Sequence, residues 1–187
     1  MLAVLLILVT LQNLVAAQDN IISVSNGDKR GNWGVMEVCD EGTEVRGFQL
    51  KVQLCQGPFI DDTSLNGIAL LCTKNSSWEA VKIVRSTVGE LGSWGPIHWC
   101  KSGLLTQFSL SVQSTGSFDQ TGASNIMFTC SDCSVVEGNG FDWGKYGPWS
   151  DRCKKGIRGI QTRVQDRQGF WTDDVALSDV RFLCNDN

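Results

Sequence analysis

The chain has 187 residues, a net charge of −4, eight Cys, and 20 Gly against 3 Pro. The acidic balance, without a cluster of Lys and Arg, excludes a nucleic-acid partner, because phosphate binding needs concentrated positive charge. Beyond the first residues no stretch approaches the ~20 apolar residues of a membrane span, so no membrane insertion is expected.

The opening MLAVLLILVTLQNLVAA is uncharged, apolar over Leu2–Val9, and ends in small residues at Val15 and Ala17. It predicts a cleaved signal peptide over 1–17 and a mature, secreted chain over 18–187 that folds as one domain. In that oxidising setting eight Cys predict four disulfides. With a single His in the chain, the C-x-x-C at Cys130–Cys133 reads as structural, and no metal is expected.

Ile21–Val24 is a short β-branched run, followed by GNWGVMEVC ending at Cys39. Phe48, Leu50, Val52 and Leu54 then alternate with Gln49, Lys51 and Gln53, the period of a strand with one buried face. QGPFIDD sets Phe59 ahead of Asp61 and Asp62, and DDTSLNGIALLC runs from Asp61 to Cys72 with Ile68 and Leu70 alternating. Asn75 heads Asn-Ser-Ser, a glycosylation sequon, in the connection that follows.

The series then returns. Val81–Val84, GSWGPIHWC ending at Cys100, the alternating Phe108, Leu110 and Val112, TGSFDQ with Phe118, and DQTGASNIMFTC from Asp119 to Cys130 make a second copy. Val135–Val136, KYGPWSDRC ending at Cys153, Ile160 and Val164, QGFWTDD with Phe170 and Trp171, and DDVALSDVRFLC from Asp173 to Cys184 make a third. The closing Cys are 58 and 54 residues apart, and the repeats fall at about 20–75, 78–132 and 133–184. About four short strands per repeat and no helical periodicity predict an all-β chain in three similar parts. A propeller normally needs at least ~4 blades. A three-sided prism of Greek-key sheets and a β-trefoil both remain.

The motifs NWG…C, GFQLKV, DDTSLNGIALLC, FTCSD, WGKYGPWSDRC and DDVALSDVRFLC resemble those of the vitelline membrane outer layer protein 1 family, from about Ile21 to Cys184. The resemblance implies a type I β-prism, three four-stranded Greek-key sheets about a pseudo-threefold axis, and selects the prism over the trefoil. It also implies a secreted, disulfide-stapled coat protein of the extracellular space or matrix, structural and/or glycan-binding, with glycans or glycoproteins as partners. The sequence holds no phosphate-loop or calcium-loop pattern, and no cofactor is expected. Two other functions stay open: an enzyme acting on chito-oligosaccharide or peptidoglycan-like glycans, and a soluble lectin of the jacalin type, which shares the architecture.

The first and last Cys of each repeat predict Cys39–Cys72, Cys100–Cys130 and Cys153–Cys184, each closing about 30 residues and worth roughly 3–4 kcal/mol. Cys55 and Cys133 are left to pair by elimination, the alternative being free or intermolecular thiols. The resemblance implies a fourth bridge within the third repeat instead. Here Arg158 and Asn185 stand at the positions it would use.

Asp61, Asp119 and Asp173 occupy equivalent places, and Asp62 and Asp174 add a second carboxylate in two repeats. With Phe59, Phe118 and Trp171 they form the candidate glycan site, since a ring stacks on the apolar face of a pyranose while carboxylates take its hydroxyls. The competing role is architectural: Asp before a strand caps backbone N–H groups and fixes a turn, a need shared by all three repeats. No catalytic residue is assigned. Glycoside hydrolysis needs two carboxyls ~5–9.5 Å apart, and Asp61 and Asp62, adjacent on a strand, would point to opposite faces. Trp33, Trp94 and Trp143 read as packing anchors, and His98, with no nucleophile motif nearby, as partly buried and neutral.

Overall fold

The computed structural model describes residues 20–53, 65–113, 122–165 and 177–185, and every regular element among them is a strand. The alternation read in the sequence determines which face is inside. On β4 (Glu44–Val52), Phe48 and Leu50 are fully buried, while Gln49 and Lys51 lie on the outer face.

Three antiparallel sheets result. Sheet 1 has the order β6 (Ala80–Val84), β5 (Leu65–Thr73), β4, β7 (Ser93–Trp99). Sheet 2 repeats it as β10 (Val135–Glu137), β9 (Ala123–Cys130), β8 (Leu105–Val112), β11 (Lys145–Tyr146). In sheet 3, β1 (Ile21–Ile22) flanks β13 (Leu177–Cys184) and β12 (Ile157–Val164), and β2 (Asn32–Trp33) and β3 (Glu37–Val38) share the fourth position. Each sheet is a Greek key, because the fourth strand returns beside the first. The inner faces pack on one another through Phe48 of sheet 1, Phe108 and Phe128 of sheet 2 and Phe182 of sheet 3, with ring centroids 4.7–6.3 Å apart. The molecule is a three-sided β-prism.

The sheets do not coincide with the sequence repeats. The opening motif of each repeat crosses to the sheet before it: GSWGPIHWC supplies β7 to sheet 1, KYG supplies β11 to sheet 2, and GNWGVMEVC supplies β2 and β3 to sheet 3. The N-terminal strands therefore complete the C-terminal hairpin, with Ile21 opposite Leu183 and Trp33 opposite Arg163.

Three disulfides follow this crossing, and each joins two sheets. Cys39, just after β3 of sheet 3, bonds Cys72 of sheet 1; Cys100, after β7 of sheet 1, bonds Cys130 of sheet 2; Cys153, held to Thr106 of sheet 2, bonds Cys184 of sheet 3. All six sulfur-bearing residues belong to the core. The amides of Cys39, Cys100 and Cys153 donate to the carbonyls of Arg158, Arg46 and Thr106, near the starts of β12, β4 and β8. The three bridges thus sit at one end of the prism.

The expected Cys55–Cys133 bridge is not made. Cys133 is a free, exposed thiol, in a turn with φ 67° whose amide donates to Cys130 at the disulfide end. Cys55 lies outside the described residues, but Gln53, two residues before it, is at the far end of the nine-residue strand β4. That strand is roughly 30 Å long, two residues reach about 7 Å, and a disulfide needs Cα atoms within about 7 Å of each other.

Candidate functional site

With the bridges at one end, the other end is where β4, β8 and β12 finish and β5, β9 and β13 begin. Its described rim is Gln53 and Leu65, Gln113 and Gly122, and Gln165 and Leu177. One residue inside β5 and β9, and likewise β13, lie Asn66, Ser124 and Ser178, all fully buried. Their backbone carbonyls accept from the amides of Gly89, Phe141 and Asp28 at 2.6, 2.9 and 2.9 Å, so the loop entering each sheet is pinned at the same height. Gly31 and Gly92 bring two of those loops onto the strand ends with φ 77° and 82°. A Cβ there would lie 2.2 Å from the Val164 carbonyl oxygen and 2.5 Å from that of Val52, a fit only glycine permits.

The rim residues flank the three candidate segments and gather at this end. The candidates themselves, Phe59, Asp61, Asp62, Phe118, Asp119, Trp171, Asp173 and Asp174, lie outside the described residues.

Beside the third hairpin mouth is a cluster that sequence reading missed. Gln161 and Arg163 of β12 and Asp179 and Arg181 of β13 share the outer face, with Arg163 opposite Asp179 and Gln161 opposite Arg181. Trp33 of β2 pairs with Arg163 from the other side. The guanidinium of Arg181 lies 4.4 Å from the Trp33 ring centroid and that of Arg163 5.9 Å, both within cation–π range. Arg181 Nε donates to Gln161 Oε1 at 2.7 Å, Gln161 Nε2 to the Gly34 carbonyl at 2.6 Å, and Arg163 Nε to the Gly31 carbonyl at 3.0 Å. The partial signal was alternation, charges at 163, 179 and 181 on every second strand position. The partner Trp33 is too remote in sequence for that alternation to reveal it.

Asp179 sits under the loop carrying Gly27, where a Cβ would come within 2.1 Å of its carboxylate. Burial pushes its pKa up to about 6, helped by the Asp28 carboxylate and opposed by the Val180 amide at 2.8 Å and by Arg163 and Arg181. Asp28 goes the other way. Burial raises it, but hydrogen bonds from Arg30 at 2.5, 2.8 and 3.0 Å outweigh that and hold it below the usual carboxylate range.

A carboxyl raised by folding stabilises the fold when protonated, so the Asp179 contribution is complete below about pH 4 and is lost as pH rises through about 6. Asp179→Asn should remove that loss and keep the bond from the Val180 amide, as Asn125 already does with Ile126 in sheet 2. The expected gain at pH 7 is about 1–2 kcal/mol, discounted for partial exposure. Urea denaturation of both proteins at pH 4.5 and 7 measures it. A variant equally stabilised at both pH values would separate the effect from titration.

The other sheets carry related groups at the Trp33 position. Trp94 pairs with Lys51 and has the Arg85 guanidinium 5.5 Å from its ring. In sheet 2 the equivalent is Tyr146, not Trp143: Tyr146 pairs with Ser111 and donates to Glu137 Oε1 at 2.7 Å. Burial, with the Glu137 carboxylate, pushes that phenol far above its ordinary range. Trp143 is instead 42% exposed and stacks on Phe141 at 4.2 Å. His98 is half-buried, stacked on Phe48, with Nε2 3.0 Å from Asn139 Oδ1, and so ties sheet 1 to sheet 2.

The sequence profile described as Vitelline membrane outer layer protein I matches residues 20–187. The chain belongs to the vitelline membrane outer layer protein I family. The vitelline membrane outer layer protein 1 homolog of Mus musculus is 42% identical over 167 residues, covering 88% of this chain and 83% of the relative. That of Homo sapiens is 41% identical over 166 residues, covering 88% and 82%.

Among solved structures, this family member is similar in fold to Calystegia sepium agglutinin, with a TM-score of 0.55, 13% identity, and 89% and 95% of the two chains covered. The Calsepa lectin in complex with a bisected glycan gives 0.54, 13%, 90% and 98%. The artocarpin–mannopentose complex gives 0.51, 11%, 89% and 97%. At such identities the likeness is one of fold. The vitelline outer layer prism is shared with a group of lectins.

Proposed function

We propose that this protein is a secreted component of an extracellular coat or matrix that binds glycans at the prism end opposite its disulfides. The observation that carries this is the division of labour between the ends. Among the described residues three inter-sheet bridges gather at one end and three hairpin mouths at the other, with Trp33, Arg163 and Arg181 beside the third. Loops held by a rigid scaffold are where binding residues concentrate. The segments spanning those mouths contain Phe59, Asp61 and Asp62, then Phe118 and Asp119, then Trp171, Asp173 and Asp174. Rings beside carboxylates suit a pyranose, which offers one apolar face and a rim of hydroxyls.

The prism-fold lectins solved with mannopentose and with a bisected glycan support the reading as an analogy of fold. Secretion is supported by the leader over 1–17 and by three disulfides. N-glycosylation at Asn75 is supported by its exposed place in a turn.

The test is a glycan array probed with the purified protein, followed by titration of the best ligand. Trp171→Ala should weaken binding by roughly 1–3 kcal/mol, about 5- to 150-fold, with little change in Tm. If that variant unfolds while residual binding persists, the ring belongs to the core and the site lies elsewhere. Recovery of shortened or transferred oligosaccharide would move the reading to a glycan-active enzyme.

A further inference from the structure

At the disulfide end, sheet 1 carries an apolar patch on its outer face. Trp99, Gly47, Leu71 and Ile83 form one row across β7, β4, β5 and β6. The Trp99 ring lies over Gly47, where a Cβ would come within 2.6 Å of it. Trp78 meets Trp99 edge-on at 5.7 Å yet is 54% exposed, and Ile83 is 51% exposed. Rings and branched aliphatics open to water at this extent call for a cover.

The sequon lies in the turn that leads into Trp78. Ser77 donates its amide to the Lys74 carbonyl at 3.0 Å, and Asn75 and Ser76 between them have φ 53° and 56°. Left-handed conformations at both central positions are the mark of a type I′ hairpin turn and suit Asn. The turn is fixed from beneath. Arg46, only 4% exposed, donates from Nη1 to the carbonyls of Ser76 and Ser77 and from Nε to that of Gly103 at 3.2 Å. Its guanidinium also lies 5.0 Å from the Trp78 ring centroid. One buried cation therefore holds both the acceptor turn and the exposed ring.

We propose that the cover is the protein's own N-glycan: the first N-acetylglucosamine on Asn75 packs its apolar face on the open side of Trp78. This rests on the glycosylation reading above and adds what the sugar does. The two residues are three apart, hence no more than about 11 Å between Cα atoms, within reach of the first or second sugar. Attachment joins the Asn75 carboxamide nitrogen to the anomeric carbon of an oligosaccharide carried on a lipid diphosphate. The carbon–oxygen bond to the diphosphate breaks, the amide proton goes to solvent or base, and the lipid diphosphate departs. Arg46 is a positioning residue, keeping the turn and ring in register.

The protein is expressed in a secretory eukaryotic host and compared before and after enzymatic removal of N-glycans. Intact mass and peptide mapping should find the glycan on Asn75 and lose it in Asn75→Gln; an unmodified Asn75 overturns the glycosylation reading and this proposal with it. With the sugar present, deglycosylation should lower Tm by roughly 2–4 °C, and Trp78→Ala should abolish that difference. Independently, NMR of wild-type protein with an isotope-labelled glycan should show upfield ring-current shifts of the first sugar's protons. A glycosylated protein with unshifted sugar protons, or a Tm difference unchanged in Trp78→Ala, overturns the stacking alone and leaves the glycosylation reading standing.

Discussion

Replacing Phe128 with Ala is expected to destabilise the fold by about 3–5 kcal/mol. Its ring meets Phe48 of sheet 1 at 4.7 Å, Phe108 of its own sheet at 6.3 Å and Phe182 of sheet 3 at 5.2 Å. All four rings are fully buried. The void would open where three sheets converge, and none can close it without leaving the other two. Urea denaturation, read by its midpoint and slope, measures the loss. Val135→Ala on β10, at a position 54% exposed, serves as the surface control and should stay within about 0.5 kcal/mol. A Phe128→Ala loss no larger than that control would mean that the rings do not form a common core.

Removing the Cys100–Cys130 bridge by a double substitution to Ala is expected to cost about 2–5 kcal/mol. Both residues are fully buried, and the bridge closes a sequence separation of 30 residues between sheet 1 and sheet 2. The loss combines freed entropy in the unfolded chain with two small voids in the core. Its size should match that for the equivalent Cys39–Cys72 pair, separation 33, if pseudo-symmetry extends to energetics. A loss under about 1 kcal/mol would show that packing alone holds these sheets together.

How much of this was legible depends on the range over which a residue acts. Strand β4 could be read directly, because Phe48, Leu50 and Val52 advertise their face within five positions. The pairing of Cys39 with Cys72 was legible because repetition supplied three copies of the same spacing. Three-way symmetry also carried the inference that the hairpin mouths share an end. The destination of the GNWGVMEVC segment was not legible. It closes on β12, and no local rule names a partner across the whole chain. Counting Cys also misled: elimination paired Cys55 with Cys133 because it ignores distance, and Cys133 sits with the bridges while β4 delivers the chain to the other end. Matching by residue type misassigned Trp143, whereas the residue ahead of the strand glycine, Tyr146, fills the place of Trp33 and Trp94. The glycine identified the position better than the ring did, because its carbonyl is used each time: Gly34 accepts from Gln161, Gly95 from Gln49 and Gly147 from Ser109.

The ring of bridges also decides how the molecule bears load. Pulled by its two ends, the chain carries tension from the N-terminal strands to Cys39, crosses to Cys72, runs to Cys100, crosses to Cys130, runs to Cys153 and crosses to Cys184. The strands β4 with β5 (up to Cys72), β8 with β9, and β12 with β13 fall within the bypassed loops, whose sequence separations are 33, 30 and 31. Each loop withholds about 100 Å of contour. Stretching can peel the outer strands, but the hairpins that form the core stay off the force path until a sulfur–sulfur bond is reduced. Under load the prism would keep its centre folded while its edges yield, and a reductant would convert it into a far longer, softer tether.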